Sequence, residues 1–387
     1  MTKTLFLHSE VADPFSLYEA KLKDPVSWDN SDNLWAIYSY QSCKEILSCA
    51  LAQIPETNPG NTDGLNEYAL LISGKLARLN NGIRHEAAKH AVLLLLDHMK
   101  AAHTGSLIDQ LIEMGNNKGE LDWVASICKK LPLMLVLKCF DFNDADCNFI
   151  VNCTEQLTKI MLPVKTPGQV IAINEISRKI YHITEKHLCV SSFYKPLLKS
   201  LSESYHTNMQ ETLTICVSNL IGLFIQGYDA GRGILSNTLL QLLNNGYSTG
   251  KNSDDKTILG NNVVETLRFD PPVHNTRRIA VDNILMNNIA IKKGQSILII
   301  LAAANRDPRH FNNPNIYNTE RLNNRDHLAF GIGSHRCPAN HISVKLATDA
   351  LHYLFEKYKT IRLIEKTITY EPIINVRLPR QLFISLY

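Results

Sequence analysis

The amino-acid sequence predicts a mainly α-helical fold with a smaller β region and one long central helix. Apolar residues recur with helical period in several segments between Arg84 and Ser200. A longer apolar run extends from Thr212 to Leu243, interrupted by the glycine-rich patch Gln226 to Gly233. Between Val273 and Ile300 the pattern changes to short strands, and helix returns after Pro338.

In chain order, Asp13 to Leu22 reads as a capped helix and Leu34 to Tyr40 alternates like a strand. Residues Ala52 to Asn66, rich in Pro, Gly, Asn and Thr, read as a long loop of the kind that is often functional. The run from Thr212 to Leu243 forms the central helix, which the glycines are expected to weaken or widen locally. Turns are expected at Asn287-Asn288 and Lys293-Gly294. No Gly/Ser linker, charge block or repeat divides the chain. One domain over 1–387 is expected, strand-rich at about 25–60 and 273–320 and helical elsewhere.

The composition narrows the function. Forty basic and 37 acidic residues leave a formal charge of +3 with no dense basic tract, which argues against nucleic acid as a ligand. Nine cysteines without a CxxC pair suit buried thiols in a reducing cytoplasm. The start of the chain has only a brief apolar patch before acidic residues and Pro14, so neither a leader nor a membrane anchor is expected there.

The segment Phe330-Gly331-Ile332-Gly333-Ser334-His335-Arg336-Cys337-Pro338-Ala339 places two glycines, a histidine and a cysteine ahead of an apolar helical run. Glycine lets the backbone turn tightly and approach a flat ligand. Pro338 suits the first position of a helix, where its missing N–H is no loss. Cys337 would then lie at a helix N-terminus, whose unpaired N–H groups favour a thiolate. A thiolate is a ligand that pushes electron density toward iron. Without its neighbours, the same cysteine would read as a buried thiol in a turn.

This segment resembles the haem-binding loop of the cytochrome P-450 family, with every fixed position matched. Upstream, Glu265-Thr266-Leu267-Arg268 is similar to the family's Glu-x-x-Arg helix motif, and Pro271-Pro272-Val273, then Arg278-Ile279-Ala280, continue the likeness. Ala304-Asn305-Arg306-Asp307-Pro308, Phe311, Pro314 and Glu320-Arg321 follow in family spacing. The resemblance covers essentially the whole chain and is weakest over 51–79 and 153–202. It implies a cytochrome P-450 fold whose long helix crosses haem b, with Cys337 as the metal ligand. Glu265, Arg268 and Arg321 are implied as a network that holds the fold.

Haem propionates need donors, because an unpaired buried carboxylate is costly. The resemblance implies His335 and Arg278 as propionate ligands, with Phe330 and Gly331 in the cofactor loop. It adds His85 and Lys89 on an early helix, where lysine replaces the family's arginine and loses the planar fork.

The central helix departs from the family pattern. Gly227 and Asp229 match, whereas Gln226, Ala230 and Gly231 do not. Ala230 stands where the family places a threonine whose hydroxyl assists proton delivery. A substrate hydroxyl or an ordered water is expected to replace it, with Asp229 leading to bulk protons. A structural reading of Asp229, as an ion pair with Arg232, stands beside that one. Family topology implies substrate contacts at Gln226, Tyr228, Val273, Asn275, Thr276 and Ile374.

The resemblance therefore implies a cytoplasmic monooxygenase or other oxidoreductase acting on a small molecule, which a carrier protein could present, in secondary metabolism. Two electrons would come from a ferredoxin or flavodoxin with its reductase, docking near Arg336 and Lys345. Hydroxylation, desaturation and coupling all remain open. A peroxide-using peroxygenase and a catalytically altered docking module are the alternatives.

Overall fold

The computed structural model describes residues 4–56, 62–99, 104–247, 255–364 and 367–387. The centre of the expected loop Ala52 to Asn66, residues 57–61, lies outside them. The chain divides into two compact units, one of Met1–Gln53, Thr104–Lys129 and Asp229–Tyr387, the other of Ile54–His103 and Lys130–Tyr228.

The first unit begins with helix α1 (Pro14–Lys21), strands β1 (Val26–Asp29) and β2 (Leu34–Ile37), helix α2 (Tyr40–Ser48) and strand β3 (Ala52–Gln53). Asp13 starts α1 as expected, its carboxylate accepting from the Phe15 N–H at 3.0 Å. The strand expected over Leu34 to Tyr40 ends at Ile37. Ser39 caps α2 by accepting from Ser42 N–H, so Tyr40 is already helical. Asp307 accepts from the Tyr40 N–H at 2.9 Å, a second side-chain acceptor in the first turn.

The second unit contains α3 (Glu67–Lys75) and α4 (Gly82–His98), while α5 (Gly105–Gly115) and β4 (Glu120–Asp122) return to the first. Helices α6 (Leu131–Cys139), α7 (Asp144–Leu157), α8 (Pro167–Val190) and α9 (Tyr194–Tyr205) complete the second unit with the first part of α10 (Met209–Asn244). The remainder of α10, α11 (Lys256–Phe269), strands β5 (Thr276–Ala280), β6 (Ile284–Met286), β7 (Ile289–Ile291) and β8 (Ser296–Ile299), α12 (Leu301–Ala304), α13 (Asn340–Lys357), β9 (Ile361–Leu363) and β10 (Phe383–Leu386) belong to the first.

The first unit's main sheet runs β1-β2-β8-β5-β3, with β2 and β8 parallel and the other pairs antiparallel. The β6–β7 hairpin turns at Asn287 and Asn288, both at positive φ, as a type I′ turn requires. A second sheet, β4-β10-β9, uses strands outside the strand-rich segments read from the sequence.

Helix α10 is continuous over 36 residues, about 54 Å at 1.5 Å per residue. The glycine-rich patch does not interrupt it. Two of its glycines instead permit close packing within their own units. A Cβ on Gly222 would lie 2.8 Å from Leu76, and one on Gly233 would lie 2.5 Å from both Pro272 and Leu378.

On α11, Glu265 and Arg268 are both fully buried and form a bidentate pair, with two N–O distances of 2.7 Å. Burying two charges costs several kcal/mol per ion unless every remaining donor and acceptor is satisfied. Here Arg268 also donates to the carbonyls of Asn305 and Pro314 at 3.0 Å and Ile316 at 3.3 Å, while Glu265 accepts from Asn318 N–H at 2.8 Å. Arg321 lies beside the pair without a direct bond to Glu265. Its guanidinium donates to the carbonyls of Asn312, Asn313 and Ile316, the last shared with Arg268. The fold-holding network is therefore completed by main-chain groups rather than by a third side chain.

Removing one partner of such a pair strands a buried charge. Arg268→Ala should destabilise the protein by about 3–5 kcal/mol, and Arg321→Ala, at the partly exposed rim, by less than half as much. Urea midpoints at unchanged slope check both.

Candidate functional site

The loop before α13 is closed by main-chain bonds. Gly331 N–H donates to Leu328 O at 2.8 Å, Arg336 N–H to Gly333 O at 3.1 Å, and Cys337 N–H to Phe330 O at 2.9 Å. Gly331 and Gly333 make the reversals at φ +64° and +72°, a region that L side chains rarely adopt. Gly333 has a second reason to be glycine, because a Cβ there would stand 2.7 Å from the Leu47 carbonyl on α2.

Pro338 is not the first helical residue. Ala339 is the N-cap, α13 starts at Asn340, and the Ser343 N–H to Ala339 O bond at 2.8 Å begins the ladder. The chain before it is committed to the loop, since the Cys337 N–H is held by Phe330 O. Cys337 thus precedes the helix by three residues, and the first-turn donors lie beyond it rather than directly at it.

The surroundings of the thiol fit a large flat cofactor. Cys337 is half-buried, and Phe330, Ile332, Ile342 and Val344 are also only partly covered. Farther along α13, Leu346, Ala347, Ala350, Leu351 and Leu354 are fully packed. These partly covered apolar residues flank the cysteine in sequence, and a single soft sulfur donor suits an iron already held in a macrocycle. Among the described residues, no group of three His, Cys, Asp or Glu gathers that would hold a bare metal ion.

Upstream, Asn305 links this loop to the buried ion pair. Its carbonyl accepts from Arg268, its side-chain oxygen accepts from Leu328 N–H at 2.6 Å, and its amide donates to Leu267 O at 3.2 Å. His327, one residue earlier, has its pKa pushed down to about 4, by burial first and by the Arg336 charge second. Its neutral Nδ1 accepts from Ala329 N–H at 3.3 Å.

Of the residues expected to hold propionates, Arg278 is buried on β5 and donates to Arg277 O at 2.8 Å and Thr276 Oγ1 at 3.3 Å. His335 is half-buried in the cysteine loop. His85 and Lys89 lie four residues apart on α4, in the other unit. His85 is buried, with Nδ1 donating to Ala77 O at 2.7 Å.

The middle of α10 has one open face. Residues 214–222 and 232–240 are all buried. Between them Leu223, Gln226, Gly227, Ala230 and Gly231 are half-open, at positions i, i+3, i+4, i+7 and i+8, which is a single helical stripe. A Cβ on Gly227 would meet nothing within 4 Å. Asp229 pairs with Arg232 at 3.3 Å, so its structural reading is present in the geometry. Arg232, only 4% exposed, also reaches Glu371 at 3.3 Å. Glu371 is a residue to which nothing in its local sequence pointed.

The expected substrate residues of the first unit come together. Val273 bridges Val376, His274 N–H donates to Asn375 O at 2.9 Å, and Asn275 Nδ2 donates to Ile374 O at 3.0 Å. Thr276 opens β5 beside them, and Ile374 is 39% exposed. In the second unit Gln226 is half-open, whereas Tyr228 is buried and donates its hydroxyl to Glu155 at 2.9 Å.

The family model for cytochrome P450 matches residues 252–359, which include the Glu265–Arg268 helix and the cysteine loop. The biotin biosynthesis cytochrome P450 of Bacillus subtilis is 31% identical over 160 residues, 41% of this chain and 40% of that protein. Cytochrome P450 144 of Mycobacterium tuberculosis is 23% identical over 379 residues, 92% of this chain and 86% of its own length. Two solved structures share the fold. P450BioI, in complex with an acyl carrier protein ligated to hexadec-9Z-enoic acid, aligns at a TM-score of 0.83 and 19% identity over 97% of this chain and 99% of its own. CYP109E1 from Bacillus megaterium, with testosterone, aligns at 0.81 and 20% identity over the same shares. The chain spans 40% of the length of the Bacillus subtilis relative it matches. With a fold shared along nearly the whole chain and a sequence match centred on residues 252–359, this chain is similar to the cytochrome P450 family.

Proposed function

We propose that this protein is a haem-thiolate oxidoreductase that oxidises a small organic substrate with O2 and two electrons from a separate redox partner. The observation that carries this reading is the half-open Cys337, presented by a loop that two left-handed glycines turn. Haem b, when bound, would supply the oxidising chemistry.

The chain's residues would do the rest. Cys337 would ligate the iron, with Phe330 and Gly331 beside it in the loop. Arg278, His335, His85 and Lys89 neutralise the propionates. Gly227, Ala230 and Gly231 leave room along the open face of α10. Ala230 has no hydroxyl, so a substrate hydroxyl or an ordered water fills its hydrogen-bonding role, while Arg232 orients Asp229. In the first unit Val273, Asn275, Thr276 and Ile374 are the candidates for substrate contact, and in the second unit Gln226 and Tyr228. Exposed Arg336 offers positive charge to an acidic ferredoxin or flavodoxin, whereas Lys345 is already paired with Asp349. Thiols without a disulfide among the described residues suit a reducing cytoplasm.

A carrier-presented acyl chain is the more specific reading of the substrate. It is favoured by the likeness to P450BioI, whose structure holds an acyl chain on a carrier protein, and to the biotin biosynthesis relative.

Three results check these readings. The dithionite-reduced, CO-bound protein should show the red-shifted Soret band of a thiolate-ligated ferrous haem, and Cys337→Ala should lose it; a wild-type spectrum indifferent to Cys337 overturns the proposal. Ala230→Thr should leave coupled turnover within about threefold (under ~0.7 kcal/mol), and a gain of tenfold or more would refute proton delivery through substrate or water. An acyl chain tethered to a carrier protein should perturb the haem spectrum at a Kd at least tenfold below that of the free acid (about 1.4 kcal/mol), and equal affinities would remove the carrier.

A further inference from the structure

The N-terminal residues 4–12 meet the C-terminal turn 371–377 over a buried histidine pair in the first unit. His8 is 1% exposed and His274 fully buried, with ring centroids 4.3 Å apart in an edge-to-face arrangement. The His8 N–H donates to Ile373 O at 3.2 Å and the His274 N–H to Asn375 O at 2.9 Å, so the two main-chain bonds bracket Ile374. Neither histidine belongs to the haem loop or to the α10 stripe.

The environment has no place for an added proton. Tyr18 on α1 occupies His274 Nδ1 at 3.1 Å, and the rings of Phe6 and Phe15 lie 5.3 Å from His8 and 5.4 Å from His274. Among the described residues, neither ring nitrogen of His8 nor Nε2 of His274 has a hydrogen-bond partner. The nearby charges are mostly positive. Arg377, 7% exposed, stacks on Tyr370 at 3.5 Å, and Arg306 is sandwiched between Phe15 and Phe269 at 3.5 and 3.7 Å. The acids within reach face those arginines, Asp270 pairing with Arg377 at 3.5 Å and Asp13 acting on Arg306.

We propose that His8 and His274 are positioning residues for the Ile374 turn: as a neutral pair they clamp residues 4–12 onto it, and protonation of the pair undocks the segment and loosens the turn. That the turn faces substrate rests on the function proposed above; the clamp does not.

The sign follows from linkage. Burial first and Arg377 second push His8 down from 6.5 to about 3. Burial, followed by His8, Arg377 and Arg306, holds His274 well below 6.5. The docked form therefore resists protons that the undocked form accepts near pH 6.5. Docking is complete at neutral pH and above. Each pH unit below 6.5 favours undocking by up to ~10-fold per histidine, or ~100-fold for the pair.

The test is hydrogen exchange of the haem-loaded full chain between pH 7.5 and 5, corrected for intrinsic rates, on peptides covering 4–12 and 371–377. Exchange should accelerate in both segments below pH 6.5, with a slope between one and two decades per pH unit. His8→Phe, an apolar ring of similar shape, should lower that slope by up to one decade per pH unit; His8→Leu serves where phenylalanine does not fold. Acceleration absent from the wild type, confined to one segment, or unchanged in the folded variant overturns the clamp. CO spectra of the same samples separate the two claims. A thiolate-type band with pH-independent exchange removes the clamp alone, whereas accelerated exchange without that band keeps the clamp and removes its link to a haem substrate site.

Discussion

The buried Glu265–Arg268 pair is the constraint on which the rest of the first unit depends. A guanidinium and a carboxylate with no exposure are tolerable only if all their hydrogen-bonding capacity is met, and α11 cannot supply those partners by itself. The carbonyls of Asn305, Pro314 and Ile316 and the Asn318 N–H are drawn in to meet it. Asn305, once placed, holds Leu328 with its side chain, and Leu328 receives the first bond of the cysteine loop. A buried charge pair is thereby linked through Asn305 and Leu328 to the loop that carries Cys337.

The same logic of close approach runs through the glycines. Gly333 lets the loop pass against the Leu47 carbonyl, and α2, which carries that carbonyl, is itself pinned by Ser39 and Asp307 at its first turn. Along α10 the glycines divide the labour. Gly222 and Gly233 are filled by neighbouring side chains, whereas Gly227 borders open space and lies on the half-open stripe with Ala230 and Gly231.

Local signals were legible where the physics is local. Asp13 caps its helix, Asn287-Asn288 makes its hairpin turn, and the spacing of Glu265 and Arg268 puts both on one helix face, because each depends on residues within a few positions. Boundaries set by competing partners were less legible. Leu34 to Tyr40 alternates throughout, yet Ser39 and the distant Asp307 recruit Tyr40 into α2. Pro338 suits a first helical position, but the loop's main-chain bonds retain the chain until Ala339.

By itself the sequence determined the class of fold and the spacing that puts Glu265 and Arg268 on one helix face, and through its resemblance it singled out Cys337 and Ala230 as candidates, since these are matters of residue type and short spacing. Tertiary structure alone decided that Glu371 shares Arg232 with Asp229, that Asn318 rather than Arg321 completes the Glu265 site, and that His8 meets His274 above the Ile374 turn. These partners lie between 53 and 266 residues apart in the chain. The physical reason is that an ion pair or a buried ring contact is chosen by which surfaces the packed elements bring together, and no local period or propensity encodes that choice.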